Sequence, residues 1–439
     1  MEKHELKREI SLVGAFSTVM GTVIGAGVFF KTASVTSSAQ SPSLTIFAWI
    51  LGGILTICAG LTSAELATAI PKTGGAMKYI EYTYGKLPGF LLGWAQSVIY
   101  FPANIAALSI IFGTQFIHLF HLSNELILPI ALGTGFSVTI INLLGTKMAS
   151  NIQSLTLIIK MIPIALIVLV GLFMPANTEV SLLPIEAGEK SNFIQALSGA
   201  LVATMFAYDG WLGVGTVAGE MKRPEKDLPK AIFFGLTFVT IVYTLINLVF
   251  LKTLPIEALS GNLNGASEAS TRIFGSIGGK LVTIGILISV YGALNGYTMT
   301  GIRVPYALAL EGMIPFSKQF QVLSKKFVVP YIAASFQFCI AASMMFLGSF
   351  DLLTDMLVFV MWLFSILLFF AVFILRKKEP ELHRPYKVPL YPFIPIVAII
   401  GGLFILITTF FTQPILASIG IGITLLGVPV YIINMKKNK

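Results

Sequence analysis

Apolar side chains come in long uninterrupted runs along the chain, separated by short stretches rich in Gly, Pro and charge. Twelve runs stand out, near 10–38, 43–70, 88–117, 124–145, 153–174, 193–219, 229–251, 278–302, 329–348, 353–375, 393–411 and 414–434. A helix needs roughly 20 apolar residues to cross the hydrocarbon of a bilayer. Barrel strands instead alternate apolar and polar over about 10 residues. The runs are longer than that and uniformly apolar, so the pattern predicts an all-α integral membrane protein with twelve transmembrane helices. Segment 253–277, with Pro255 and several Gly and Ser, reads as an external loop with room for a short helix. Segment 303–328 reads as an internal, partly helical connection.

Composition sharpens this picture. Only 11% of the 439 residues are charged and 56% are hydrophobic, whereas a soluble domain is about 25% charged. A large soluble domain and disorder are both excluded. With the N-terminus placed inside, 23 Lys and Arg fall in internal segments and four in external ones, while Lys31 and Lys160 lie within runs. This asymmetry predicts a multi-pass protein of the cell membrane, plasma or inner, with both termini cytoplasmic. It also accounts for the net charge of +9 without a nucleic-acid partner. Cys58 and Cys339 sit inside apolar runs, so no disulfide framework is expected. The opening MEKHELKREISL lacks the features of a cleaved signal peptide.

Two runs carry helix breakers at their middles. In the first, Gly25 and Gly27 flank Ala26. Taken alone, this reads equally as close helix packing through Gly21-x-x-x-Gly25 and as a break. The sixth contains Phe206-Ala207-Tyr208-Asp209-Gly210-Trp211, an acid and a turn signal at membrane depth. The first and sixth runs would be the leading helices of two five-helix halves, and interrupted helices at matching positions point to a transporter binding site. A break frees N–H groups on the following helix and C=O groups on the preceding one, with partial positive and negative character respectively. Two such breaks suit a ligand carrying a carboxylate and an ammonium on one carbon. No residue-level repeat between the halves is evident.

Several stretches resemble one family. They are Gly-Thr-Val-Ile-Gly-Ala-Gly-Val-Phe at 21–29, Ala64-Glu65-Leu66 with Ile70-Pro71-Lys72-Thr73-Gly74-Gly75, residues 206–211, and the long GEMKRPEKDLPKAI at 219–232. The chain resembles the L-type amino acid transporters of the amino acid–polyamine–organocation superfamily over essentially its whole length, and within them the bacterial alanine–serine–cysteine exchangers. The resemblance implies a five-plus-five inverted repeat (the LeuT-like fold) with broken helices 1 and 6. The halves would be 1–175 and 190–375, with 390–439 as two added helices. It implies that main-chain N–H groups of Gly25, Ala26 and Gly27 meet the substrate carboxylate. Carbonyls of Val23, Ile24 and Phe206 would meet the ammonium, with the Phe206 ring as a gate. Tyr208, Asp209 and Asn295 complete the candidate substrate-binding set.

The sequence departs from the family in places. Ala26 stands where members often have Ser, so recognition there rests on backbone alone. Asp209 stands where animal members commonly have Gly, and its role is open between aiding the ammonium and pointing into the vestibule. Animal members join a heavy subunit through a cysteine after helix 3. The loop 118–123 has none, so no covalent heavy subunit is expected.

Lys160 lies several residues inside its run and is expected to be buried on carbonyls of a broken helix. The resemblance implies that it occupies the place of the sodium ion in related coupled transporters, as a fixed structural cation or as a proton carrier. Glu65 reads as a loop-proximal acid paired with Lys72 or Lys78, in preference to a substrate contact. Asn295 reads equally as a ligand of a break carbonyl and as interhelical glue. Tyr100 and Tyr431 read as interface anchors. His4, His118, His121 and His383 offer no metal site, and no catalytic grouping lies at membrane depth. The expected function is sodium-independent exchange of small neutral L-amino acids by alternating access, with no cofactor and no enzymatic activity. Proton-coupled symport through Lys160 is the alternative.

Overall fold

The computed structural model describes residues 11–70, 74–189, 192–211 and 221–437. The described part is helical and has no strand. The first run is two helices, α1 (Leu12–Val23) and α2 (Gly27–Ala39), whose axes differ by 46°. Next come α3 (Pro42–Ala69), then α4 (Lys86–Phe120), continuous through a π-helical segment at Gln96–Tyr100. The chain continues with α5 (Ile127–Leu143), α6 (Thr146–Gly171) and α7 (Phe193–Ala207). The second half of the sixth run, 212–219, lies outside the described residues. Helix α8 (Pro224–Thr253) is followed by α9 (Gly265–Gly301), α10 (Tyr331–Leu347) and α11 (Phe350–Lys378). The last pair is α12 (Phe393–Thr412) and α13 (Pro414–Leu425).

Among the described residues nine helices are long and apolar enough to cross a membrane, and the bent pair α1–α2 makes a tenth span. The two remaining runs appear as the shorter apolar helices α7 and α10, so each predicted run holds helix among its described residues. Segment 253–277 does hold short helix, at Ile256–Leu259 and in the first part of α9, which breaks at Gly275 with φ 74°. Segment 303–328 holds helices at Arg303–Leu310 and Ser317–Phe320.

The helix ends follow their local sequence. Ser41 caps α3 by accepting from the Leu44 N–H, with Pro42 in the first turn. Ser349 caps α11 in the same way, and Arg376, Lys377 and Lys378 close it on the negative end of its dipole. Helices α3, α4 and α11 are mostly buried. Helices α5, α6 and α12 leave apolar side chains such as Ile158, Leu169, Phe136 and Ile400 exposed, which is the surface hydrocarbon would cover.

Small residues let the inner helices touch. A Cβ on Gly53 of α3 would lie 2.2 Å from Thr240 Oγ1 of α8, and one on Gly60 would lie 2.8 Å from Ile232. In lipid, where no hydrophobic force drives helices together, such close packing supplies the attraction.

The C-terminal end of α3 corrects one expectation. Glu65 pairs neither with Lys78 nor with any described partner nearby in sequence. Arg376 of α11 grips it with two bonds, Nε to Oε1 at 2.8 Å and Nη2 to Oε2 at 2.6 Å. The Val388 N–H donates to Oε2 at 2.8 Å. Arg384 Nε stands 3.7 Å from Oε1. Lys78 instead bonds Glu81 at 2.7 Å and Glu311 at 2.6 Å, and Lys72 lies outside the described residues. A buried carboxylate needs a bidentate partner more than a nearby lysine, and helix packing supplies one from 311 residues away.

Replacing Gly53 by Val should lower stability by about 1–3 kcal/mol through overpacking. The midpoint of thermal unfolding in detergent should fall accordingly, and Thr240→Ala in the same chain should recover part of the loss.

Candidate functional site

The first break spans Ile24, Gly25 and Ala26. Ile24 still bonds back to the Met20 carbonyl at 2.8 Å, but its ψ of 104° turns the chain out of the helix. The carbonyls of α1 then end in the membrane with no following turn to bond them. Lys160 of α6 fills part of this deficit. Its ammonium donates to the Gly21 carbonyl at 2.7 Å and to the Ile24 carbonyl. The residue is buried and sits on the negative end of α1. A second donor comes from α8: the Tyr243 hydroxyl bonds the Val23 carbonyl at 3.0 Å and approaches the Ala207 carbonyl at 3.3 Å.

The second break begins where α7 ends at Ala207. Tyr208 leaves helical geometry, and Gly210 has φ 103°, a conformation that favours glycine. The two breaks touch backbone to backbone. A Cβ on Gly27 would lie 2.5 Å from Ala207 Cα, and one on Gly210 would lie 2.7 Å from the Thr22 carbonyl. The Tyr243 hydroxyl thus stitches together the last carbonyls of α1 and α7.

Each candidate residue now has a place. Val23, Ile24, Gly25, Ala26, Gly27 and Phe206 come together at the paired breaks. The Val23 and Ile24 carbonyls already accept bonds from Tyr243 and Lys160, though each oxygen has a second lone pair. Phe206 is buried edge-on to Phe350, ring centroids 5.7 Å apart. Tyr208 points elsewhere: its hydroxyl bonds the Trp49 carbonyl at 2.9 Å, and its ring packs on Trp49 and Tyr243. Asp209 accepts from Tyr100 at 2.5 Å and from Tyr297 at 3.1 Å, both on Oδ2.

Asn295 lies in the helix-to-helix glue of its two readings. Its amide donates to the Ala149 carbonyl at 2.9 Å and accepts from Asn142 at 3.0 Å, tying α9 to α6 and α5.

Several participants were not read from sequence. Tyr243, Tyr297 and Trp49 look like ordinary apolar-run aromatics in the primary structure. Tyr100 is no interface anchor. The π-helical segment Gln96–Tyr100 places it against Asp209, and such bulges recur at functional sites. Lys31 is fully buried and paired with Asp351 and Asp355. Two acids four apart at the start of α11 were the available signal.

The paired breaks bring the main chains of two helices together, and the described residues there include no catalytic grouping. Residues 10–433 match the family model for amino acid permeases. The chain belongs to the amino acid permease family. It is a multi-pass membrane transporter and not an enzyme. It is similar to the serine/threonine exchanger SteT of Bacillus subtilis (strain 168), 42% identical over all of this chain and 99% of that protein. The human cystine/glutamate transporter is 32% identical over 98% of this chain and 86% of its own length. The mouse Asc-type amino acid transporter 1 is 29% identical over 99% and 82%.

The two glycines of the first break should respond differently to one added methyl. A Cβ on Gly25 meets nothing closer than 3.9 Å, whereas on Gly27 it collides with Ala207. Gly25→Ala should keep substrate binding within about threefold, while Gly27→Ala should weaken it at least about tenfold by prising the breaks apart. Binding of a radiolabelled neutral amino acid to monodisperse purified protein measures both. Equal affinities for the two variants would contradict the contact.

Proposed function

We propose that this transporter is a sodium-independent exchanger of small neutral L-amino acids. The observation that carries the reading is the pair of touching helix breaks with the Lys160 ammonium lodged on carbonyls of the first. The N–H groups at the start of α2, at Ala26 and Gly27, lie beyond the last turn of α1 and suit a carboxylate. The second lone pairs of the Val23 and Ile24 carbonyls, with the Phe206 carbonyl, suit an ammonium. Phe206 supplies an aromatic cover, and Asp209 a fixed acid beside it. Recognition of both charged ends by main chain leaves the side chain to be selected by size.

Lys160 supports the sodium-independent part of the proposal. A tethered cation satisfies the carbonyls that a bound metal ion would otherwise coordinate, and it cannot leave with the substrate. Exchange is supported by the similarity to a protein named as a serine/threonine exchanger. In this reading the halves 1–175 and 190–375 alternate access around the breaks, with 390–439 outside the repeat. The termini face the cytoplasm of a cell whose plasma membrane holds the protein, as the basic internal segments suggest. The loop 118–123 lacks cysteine, which favours action without a covalent heavy subunit.

Counterflow in liposomes tests this. Uptake of labelled serine, threonine or alanine should require internal amino acid and persist without sodium and without a proton gradient. Methyl esters and N-acetyl derivatives should compete at least about a hundredfold more weakly, because an unpaired polar end at membrane depth costs several kcal/mol. Strong competition by both would rule out the binding mode. Lys160→Ala should reduce exchange by loosening α1 from α6. If substrate uptake into liposomes lacking internal amino acid acidifies the lumen, and Lys160→Ala abolishes that acidification, the protein is a proton symporter instead.

A further inference from the structure

The connection between α9 and α10 forms a cavity of about 290 Å³ that the substrate site does not use. Met299, Ile302, Leu323 and Val328 give it an apolar lining, and Arg303 and Tyr306 share that lining. Asn142 of α5 also reaches it, with an amide already donating to the Val138 carbonyl at 2.9 Å and to Asn295 at 3.0 Å. Leu143 packs on Ile302, Val329 and Ala334, so the ends of α5 and α9 and the start of α10 meet here. One wall is the segment 323–330, and it is held under strain. Val328 has φ 53°, a conformation that a β-branched residue avoids. Three bonds keep it there. The Val328 N–H donates to the Ser324 carbonyl at 3.0 Å, the Ser324 N–H to the Val329 carbonyl at 2.9 Å, and the Val329 N–H to Ser324 Oγ at 3.2 Å.

The polar groups at this cavity are all donors in want of an acceptor. Arg303 and the Tyr306 hydroxyl have no hydrogen-bond or ionic partner among the described residues. The single acid between 299 and 330 is Glu311, and Lys78 engages it at 2.6 Å. Lys325 and Lys326, in the wall segment, pair with no described acid. A guanidinium walled by apolar groups is costly unless an anion shares the space. Its planar fork matches a phosphate through two parallel bonds.

The surroundings decide the source of that phosphate. Val328 is 65% exposed. Phe136 and Ile140 of α5 and Leu144 just past its end are exposed too, and their spacing of four puts them on one face. Helix α10 packs alongside, with the Phe338 and Phe136 ring centres 5.6 Å apart, and shows Tyr331 at its start. A Cβ on Gly145 would lie 3.4 Å from Phe327 of the wall, so the apolar strip leads from the hydrocarbon to the cavity. A soluble anion has no use for such a strip, whereas an acyl chain does.

We propose that this cavity binds the headgroup of an anionic phospholipid, with Arg303 and Tyr306 on its phosphate, Lys325 and Lys326 beside it, and an acyl chain along the Phe136–Leu144 strip. On the orientation proposed above, the lipid comes from the cytoplasmic leaflet, where basic pockets between helices meet anionic headgroups. The site is separate from the breaks and does not depend on what they carry.

The test is thermal unfolding of the delipidated full-length protein in detergent, titrated with dioctanoyl phosphatidylglycerol. The midpoint should rise and saturate. Dioctanoyl phosphatidylcholine, whose added cation faces the lysines, should give no rise at the same concentrations, and neither should inorganic phosphate or glycerol phosphate. Arg303→Gln should weaken the phosphatidylglycerol effect at least about tenfold. Arg303→Lys, which keeps the charge and loses the fork, should weaken it by less, and stands in should the glutamine variant fail to fold. The pair Lys325→Gln and Lys326→Gln should weaken it at least about fivefold. Lys378→Gln, at the exposed end of α11, should leave it unchanged. Equal protection by inorganic phosphate would make this a site for a free anion and overturn the lipid. Wild-type affinity in both Arg303 variants, or an equal loss in Lys378→Gln, would overturn the site itself.

Discussion

A helix cannot be interrupted in hydrocarbon unless the carbonyls it releases are bonded by something else. That constraint organises this molecule. The carbonyls at Gly21, Val23 and Ile24 are met by an ammonium from α6 and a phenol from α8. The same phenol reaches the end of the second broken helix. Two helices are thus committed to stabilising one non-helical turn. Their small-residue contacts, such as Gly53 against Thr240, hold the frame in which those donors arrive in register. Because each carbonyl has two lone pairs, satisfying the break structurally does not exhaust its capacity to bind a ligand.

The polar side chains at depth obey the same logic. Lys160 has carbonyls, Lys31 has two acids, Glu65 has a bidentate arginine and a backbone N–H, and Asp209 has two phenols. In each case at least one partner comes from a different helix. Burial of a charge is therefore also a statement about which helices must stay together, or, where the partners can separate, about which must move.

Sequence made the architecture legible because hydrophobic runs report directly on a requirement of the bilayer. The breaks were legible because Asp209-Gly210 is costly at membrane depth and stands at a position matching the Gly25 and Gly27 pair, which alone reads equally as close packing, and Lys160 because a lysine among isoleucines demands a partner. Partners themselves were not legible. Nothing near Glu65 in the chain points to Arg376, and pairing with a nearby lysine was the wrong expectation. Tyr243 and Trp49 carry no signal distinguishing them from aromatic residues that merely fill space. Tyr100 depends on one extra residue in a helical turn, which periodicity does not reveal. Asn295 was ambiguous because an amide bonds helices and ligands with the same atoms. What composition and pattern encode is the environment of each residue, while the identity of its neighbour is set by packing.

The contact between Gly27 and Ala207 has an evolutionary consequence. At 2.5 Å between a hypothetical Cβ and the facing Cα, the obstacle is main chain, which no substitution at 207 removes. Position 27 is therefore closed to every side chain while the breaks stay in contact, whatever residue stands opposite. Descendants of this sequence can vary at 207 more readily than at 27, and a change at 27 should come only with a shift of one broken helix against the other.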